Sequence, residues 1–328
     1  MATAPNRKDD HLRIAAGPGV THDRGPGLDA VRLRHRALPG RDLADVELAI
    51  RLLDRDLAAP LLISAMTGGT PHAAVINARL ATAATERGLG FVLGSGRPLL
   101  ADPGLLPTYR SPARPPLLLA NLGAVGLTAE RATQLVDLLG ADGLSIHLNP
   151  LQEAVQPEGE PHFADVRDRI AAVVAALAPL PVVVKEVGFG MDGEDVRELA
   201  ALGVAAVDVA GSGGTNWALV EGARDARAGE VAAAFGSWGV PTADSLRAAA
   251  RTAPDVPLLA SGGVRDGVDV ARCLALGARA AGMARPLLIA AREDRAGDAL
   301  DLVLRQLRIA VWATGAPSAA RMGAGELA

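Results

Sequence analysis

From about residue 56 onward the chain alternates short apolar runs, rich in Leu, Val and Ala, with alanine-rich stretches of helical period. Such alternation predicts repeated βα units around a parallel sheet. Strands are expected at Leu61 to Ala65, Gly90 to Gly94, Leu117 to Asn121, Gly143 to His147, Val182 to Val187, Ala205 to Ala210, Pro257 to Ser261 and Arg279 to Gly282. Helices are expected at Ala73 to Arg87, Ala129 to Leu139, Phe163 to Leu177, Gly193 to Leu202, Ala243 to Ala253 and Val268 to Leu276, with a last one from Asp298 to Ala313. Eight strands in this order predict a closed (β/α)8 TIM barrel rather than an open doubly wound sheet. The barrel is assigned to residues 56–315, a polar, Arg-rich N-terminal extension to 1–55 and a C-terminal tail to 316–328. Successive units show no sequence match, so the repeat is one of architecture.

In a barrel of this kind the loops after the strands form the active-site face. Polar residues and glycines are concentrated there. Met66-Thr67-Gly68-Gly69-Thr70 follows the first strand, Gly94-Ser95-Gly96-Arg97 the second and Asn121-Leu122-Gly123 the third. His147-Leu148-Asn149 ends the fourth, Lys185-Glu186 lies within the fifth and Gly211-Ser212-Gly213-Gly214-Thr215 follows the sixth. Gly262-Gly263-Val264-Arg265 and Ala284-Arg285-Pro286 complete the set.

Composition narrows the picture. With 49% hydrophobic residues the chain has enough apolar surface for a folded core. The longest apolar stretch, Ile170 to Val184, is interrupted by Pro179 and Pro181 and is too short to span a bilayer, so no membrane helix is expected. The start, with Arg7, Lys8, Asp9, Asp10 and His11, does not read as a secretory signal, and a cytoplasmic location is expected. A single cysteine, Cys273, allows no internal disulfide. The net charge of −4 gives no general attraction to nucleic acid, so any bound anion must be held by a local group of cations.

Those cations and glycines sit where a phosphate site would be built. The loops after the seventh and eighth strands are frequent phosphate sites in barrels, where glycine N–H groups approach the anion closely. Gly262, Gly263 and Arg265 fit that pattern, and Gly213-Gly214-Thr215 adds a second loop on the same side. Either loop alone reads equally well as an ordinary turn. Lys185 lies between Val182-Val183-Val184 and Val187, where a lysine must point into the barrel mouth or meet a heavy burial cost; the alternative is a partner for Glu186 or another structural carboxylate. Over a flavin such a cation would stabilise negative charge on the reduced ring, leaving Thr67, Ser95 and Asn121 to bond the ring edge. The densest polar segment runs from His147 to Glu160. There His147 and Asn149, two apart at a strand end, face the same way, with Gln152 and Glu153 on the following loop. A single carboxylate with waters and phosphate oxygens suffices for Mg2+, and Glu153 is the candidate. Arg7, Lys8 and His11 of the extension, with Arg97, offer cations for a second anion, although a basic leader is commonly just a solvated tail. The Arg32-Leu33-Arg34-His35-Arg36 run is read as an exposed strand or loop.

These segments resemble the type 2 isopentenyl-diphosphate isomerases, flavin-dependent barrel enzymes, from Arg7 to about Pro286. The likeness rests on Arg7-Lys8 with His11, Ala65 to Thr70, Ala120-Asn121-Leu122-Gly123 and His147-Leu148-Asn149 through Gln152-Glu153 to Gly159. It continues through Lys185-Glu186-Val187-Gly188, Gly211 to Thr215 with Trp217, and Ser261 to Arg265. The resemblance implies FMN, reduced in the active form, held by Met66, Thr67, Gly68, Ser95, Asn121, Lys185, Ser212, Thr215, Gly262, Gly263, Arg265, Ala284 and Arg285. It implies a prenyl diphosphate substrate on Arg7, Lys8, Ser95, Arg97, His147, Asn149 and Gln152, with Mg2+ on Glu153, Gln152 and His147 as catalytic groups, and NAD(P)H as reductant. It implies a homo-oligomer, tetramer or octamer. Isopentenyl diphosphate would become dimethylallyl diphosphate by an allylic proton shift without net redox change. The alternatives are an FMN-dependent 2-hydroxy-acid oxidase or dehydrogenase and a non-catalytic flavin-binding protein. Two departures stand out: the family usually has Gln at the position of Gly96 and Ser at that of Asn216. Gly96 is expected to remove a polar contact and loosen its loop.

Overall fold

A computed structural model describes residues 4–328. Strands β1 (Ile50–Leu52) and β2 (Arg55–Leu57) form an antiparallel hairpin whose turn residues, Leu53 and Asp54, both have positive φ. The next eight strands are β3 (Leu61–Ile63), β4 (Gly90–Val92), β5 (Leu117–Gly123), β6 (Gly143–Leu148), β7 (Val182–Glu186), β8 (Ala206–Asp208), β9 (Leu258–Ala260) and β10 (Ala280–Met283). They form a closed parallel barrel in sequence order, sealed where Ala281 of β10 pairs with Leu61 of β3. All eight expected strands are present, with ends shifted by a few residues.

The barrel interior is filled with side chains. Leu62, Val92, Leu119, Val183 and Leu259 form an apolar cluster, and Leu52 and Leu57 of the hairpin join it. The hairpin therefore closes one end of the barrel, leaving the loops after the strands as the open end. Helices follow most strands and begin on side-chain caps: Thr70 accepts from the Ala73 N–H ahead of Pro71–Glu86, and Asp192 forms a capping box ahead of Gly193–Ala201.

Several short helices escape the sequence reading: Arg97–Ala101, Pro150–Val155, Trp217–Gly222, Ala226–Ala233 and Arg285–Arg292. Gln152 and Glu153, expected on a loop, stand on the helix Pro150–Val155, which starts with proline at its first position. The Arg32 to Arg36 run is an exposed loop in which Leu33 makes an isolated bridge to Leu327.

The extension is not a solvated tail. Residues Ala4–Ala16 form a helix that packs on Trp217–Gly222 and Arg285–Arg292, burying Leu12, Ile14 and Ala15. Asp9 Oδ1 accepts from Thr70 Oγ1 at 2.7 Å, and Arg285 donates to the carbonyls of Ala15 and Gly17, both at 2.9 Å. Beyond the helix, residues 20–23 lie against the loop after β8: Thr21 bridges Thr215, His22 N–H donates to Gly214 O, and Asn216 N–H donates to Val20 O.

Candidate active site

The loops at the open end surround one cavity of about 640 Å³. Its walls include Met66 and Thr67 from the first loop, Ser95 and Arg97 from the second, and Asn121 from the third. His147, Asn149, Gln152 and Glu153 come from the fourth, Lys185 from β7, and Thr215 from the sixth. Gly262, Gly263 and Arg265, then Ala284 and Arg285, complete the ring, and Arg7 and Lys8 reach in from the leader helix. Gly68 and Ser212 are the picked residues that do not face it. The Tyr109 ring fills the space beside Gly68, where a Cβ would lie 2.0 Å from its Cε1. Ser212 is buried and bridges Pro241.

The side of the cavity formed by Thr67, Asn121 and Lys185 has unfilled polar capacity. Thr67 Oγ1 and Asn121 Nδ2 are buried without a hydrogen-bond partner, a costly state unless a ligand supplies one. Asn121 Oδ1 is 2.7 Å from His147 Nδ1 and accepts its hydrogen. Burial, with Lys185 and Lys8 nearby, pushes the His147 pKa down to about 3, so the imidazole is neutral and its Nε2 keeps a lone pair. Lys185 Nζ donates to the main-chain carbonyl of Glu186, not to its carboxylate. That carboxylate instead accepts the N–H groups of Val187, Gly188 and Phe189 on one oxygen. Glycine is required where the sixth and seventh loops meet, because a Cβ on Gly214 would lie 2.5 Å from Gly263 N. The two arginines assigned to this side are already engaged: Arg265 pairs with Asp29 at 2.6 Å and Asp269 at 2.7 Å, and Arg285 holds the leader helix.

Opposite lies a chain of polar side chains. Asn149 Nδ2 donates to Glu153 Oε1 at 2.9 Å and Gln152 Oε1 at 3.2 Å, and Glu153 Oε2 accepts Glu160 N–H at 2.9 Å. Asn149 Oδ1 is left buried without a donor. Gln152 Nε2 donates to Glu221 Oε1 at 2.7 Å. Arg224 donates to the same carboxylate at 2.6 Å, and His11 Nε2 approaches it at 3.0 Å. Turning the Gln156 amide lets it bond both Glu221 and Arg7, at 3.1 and 3.3 Å. Burial raises the Glu221 pKa, but bonds from His11, Gln152 and Arg224 outweigh it and hold the group at about 2. Burial and Arg7 push Lys8 down to about 8, against the attraction of Glu221. Arg97 pairs with Glu160 at 3.0 Å and Arg7 approaches Glu158 at 3.6 Å, so both cations face the opening with carboxylates alongside.

Sequence reasoning missed Glu221, the carboxylate on which this chain converges. Its signal was a lone charge in the otherwise apolar Trp217-Ala-Leu-Val-Glu221 run. Tyr109 was missed as well; its hydroxyl donates to Ser95 O at 2.7 Å. The reading of Gly96 is corrected: a Cβ there would point at Leu135, 2.5 Å from its Cδ1, rather than into the cavity. Its loop is held by the bond from Gly96 N–H to Asn121 O at 2.7 Å and by Tyr109.

The closed barrel carries glycine loops and unpaired buried polar groups around one cavity, and residues 152–328 match the family model of FMN-dependent dehydrogenases. Solved structures share this fold. A flavocytochrome b2 is 17% identical, with 98% of this chain and 82% of that chain covered and a TM-score of 0.70. A mandelate oxidase is 20% identical, with coverage of 96% and 91% and a TM-score of 0.63. Much closer in sequence is the isopentenyl-diphosphate delta-isomerase of Synechococcus sp., 46% identical over 95% of this chain and 93% of that protein. The isomerase of Xanthobacter autotrophicus is 48% identical, with coverage of 95% and 94%. The chain belongs to the isopentenyl-diphosphate delta-isomerase family.

Proposed function

We propose that the protein interconverts isopentenyl diphosphate and dimethylallyl diphosphate with FMN as its resident cofactor and Mg2+ as its metal. The observation that carries this reading is one cavity with two chemically different sides. Thr67, Asn121 and Lys185 suit a flavin ring, with unpaired Oγ1 and Nδ2 atoms ready for its edge. Arg7, Lys8, Asn149, Gln152 and Glu153 suit a magnesium diphosphate. The glycine loops at Gly214 and Gly263 suit the cofactor phosphate through main-chain N–H groups, because the Arg265 and Arg285 guanidinium groups are engaged elsewhere.

Bound in reduced form, FMN supplies the acid/base group that protonation of an unactivated alkene requires. The chain's own residues align the substrate. Lys8 and Arg7 hold the diphosphate, so that binding energy remote from the reacting carbons fixes their orientation. Glu153, with the donorless Asn149 Oδ1 beside it, would offer hard oxygens to Mg2+, whose charge would offset that of the diphosphate. Neutral His147 fixes the Asn121 amide through Nδ1, and Glu221 fixes the Gln152 amide. In this reading Gln152 and His147 are the catalytic side chains, orientation being their first task. The oxidase alternative needs a free arginine near the later strands for a substrate carboxylate, and Arg265 is taken by Asp29 and Asp269. NAD(P)H as reductant, a cytoplasmic location and a tetramer or octamer extend the proposal on the family resemblance. Among the described residues no helix is long and apolar enough to cross a membrane.

The test is anaerobic NMR of photoreduced, FMN-loaded protein with Mg2+ and isopentenyl diphosphate. Dimethylallyl diphosphate should accumulate to equilibrium with the flavin still reduced. No conversion, or conversion that consumes one reductant per turnover, overturns the proposal.

A further inference from the structure

Trp217 lines the cavity, and Glu221, fully buried, accepts from Gln152 behind the cavity wall; both stand on a helix of six residues, Trp217–Gly222. So short a helix makes too few internal bonds to hold its own direction. Its N-terminus is held instead by a buried polar pair. Asn216, fully buried, caps the helix by accepting Leu219 N–H at 3.1 Å. Its Nδ2 donates to Phe235 O at 2.9 Å and faces His22 Nδ1 at 3.3 Å. His22 Nε2 lies 2.7 Å from Gly188 O. A carbonyl only accepts, so Nε2 carries the hydrogen and Nδ1 is the acceptor for the Asn216 amide. The ring also packs edge to face on Phe189, centroids 5.2 Å apart. Two side chains thus join three segments: the extension, the exit of β7 and the helix that carries Glu221.

The geometry points to His22 and Asn216 as a positioning pair that aims Glu221 at Gln152, and it does so only while His22 is neutral. The inference rests on the proposed isomerase reading for its kinetic consequence, not for its geometry. A proton on Nδ1 would set an N–H against the Asn216 NH2, and the contact would open. Asp23, the next residue, and the carbonyls of Gly188 and Gly236 favour that proton; burial opposes it more strongly and keeps the pKa below the ordinary histidine value.

Three FMN-loaded variants test the pair: His22→Phe, which keeps the ring packing, Asn216→Ser, which keeps a capping oxygen but not the reach to His22, and the double variant. Each single change should lower kcat by about tenfold with KM and FMN content little changed, and the double variant should be no worse than the worse single one, as for coupled partners. The acid limb of the wild-type kcat profile should vanish in His22→Phe. Independent, multiplicative effects, or losses confined to KM or thermal stability, overturn the pair. Imidazole 15N NMR of the wild type, free of substrate, separates this from the isomerase reading: a neutral Nε2–H tautomer supports the pair even if no isomerisation occurs, and an Nδ1–H or charged ring at neutral pH refutes it.

Discussion

Replacing Glu221 with glutamine keeps the shape of the side chain and removes its charge from the centre of the polar chain. In the folded protein the carboxyl lies at about 2, against an ordinary value of 4.5. A drop of about 2.5 units, at about 1.4 kcal/mol per unit, corresponds to about 3 kcal/mol of stability at pH 7. Because the folded value is depressed, this contribution is fully present above about pH 4.5 and is lost as the pH falls through about 2. By the same linkage about 1 kcal/mol remains at pH 3. Burial strengthens the expectation, since removing one member of a buried, bonded ion group leaves Arg224 and His11 without their partner. The assay is equilibrium urea unfolding of wild type and Glu221→Gln, followed by tryptophan fluorescence at pH 7 and pH 3. The gap between them should shrink from about 3 to about 1 kcal/mol. A gap of equal size at both pH values, or one below about 1 kcal/mol at pH 7, refutes the assignment of Glu221 as the charged hub.

Lys8 is a cation only below about pH 8, so kcat/KM for isopentenyl diphosphate should hold up to that pH and fall above it; Lys8→Arg should remove the fall, and an unchanged profile would take Lys8 out of the diphosphate site. Glu153→Gln should raise the Mg2+ concentration needed for half-maximal activity strongly while leaving FMN absorbance intact, and superimposable Mg2+ curves would place the metal elsewhere. Gly68→Ala should destabilise the fold and weaken FMN binding, because the new Cβ would meet the buried Tyr109 ring at 2.0 Å; normal melting and flavin content would show that the ring can move.

The barrel was legible in the sequence because the strands are largely buried, mostly apolar runs that alternate with helices of clear period. The polar strand ends were legible for the same reason: Asn121, His147 and Lys185 interrupt runs that burial otherwise keeps apolar. The short helices were not. Pro150–Val155 and Trp217–Gly222 span fewer than two turns, too little for a period to show. Glu221 shows locally only as a lone charge in an apolar run; its partner Gln152 lies 69 residues away, so the sequence does not reveal what that charge binds. Gly96 misled because a residue's identity does not reveal which way its Cβ points; Leu135, not the cavity, lies beyond it.

The docking of the leader helix has a consequence for how the protein is made. Arg285, which binds the carbonyl of Ala15, follows it by 270 residues. At ordinary rates of synthesis the helix waits roughly 15 to 50 seconds for that partner. Thr70, its other anchor, is available early, but Glu221 and Arg285 are not. Throughout that interval Leu12 and Ile14 lack the surface that covers them, and Arg7 and Lys8 have no site to complete. The side of the cavity lined by Arg7 and Lys8 is therefore the last part to assemble, and a chain that stops short of the final βα unit would carry most of the glycine loops but no closed cavity.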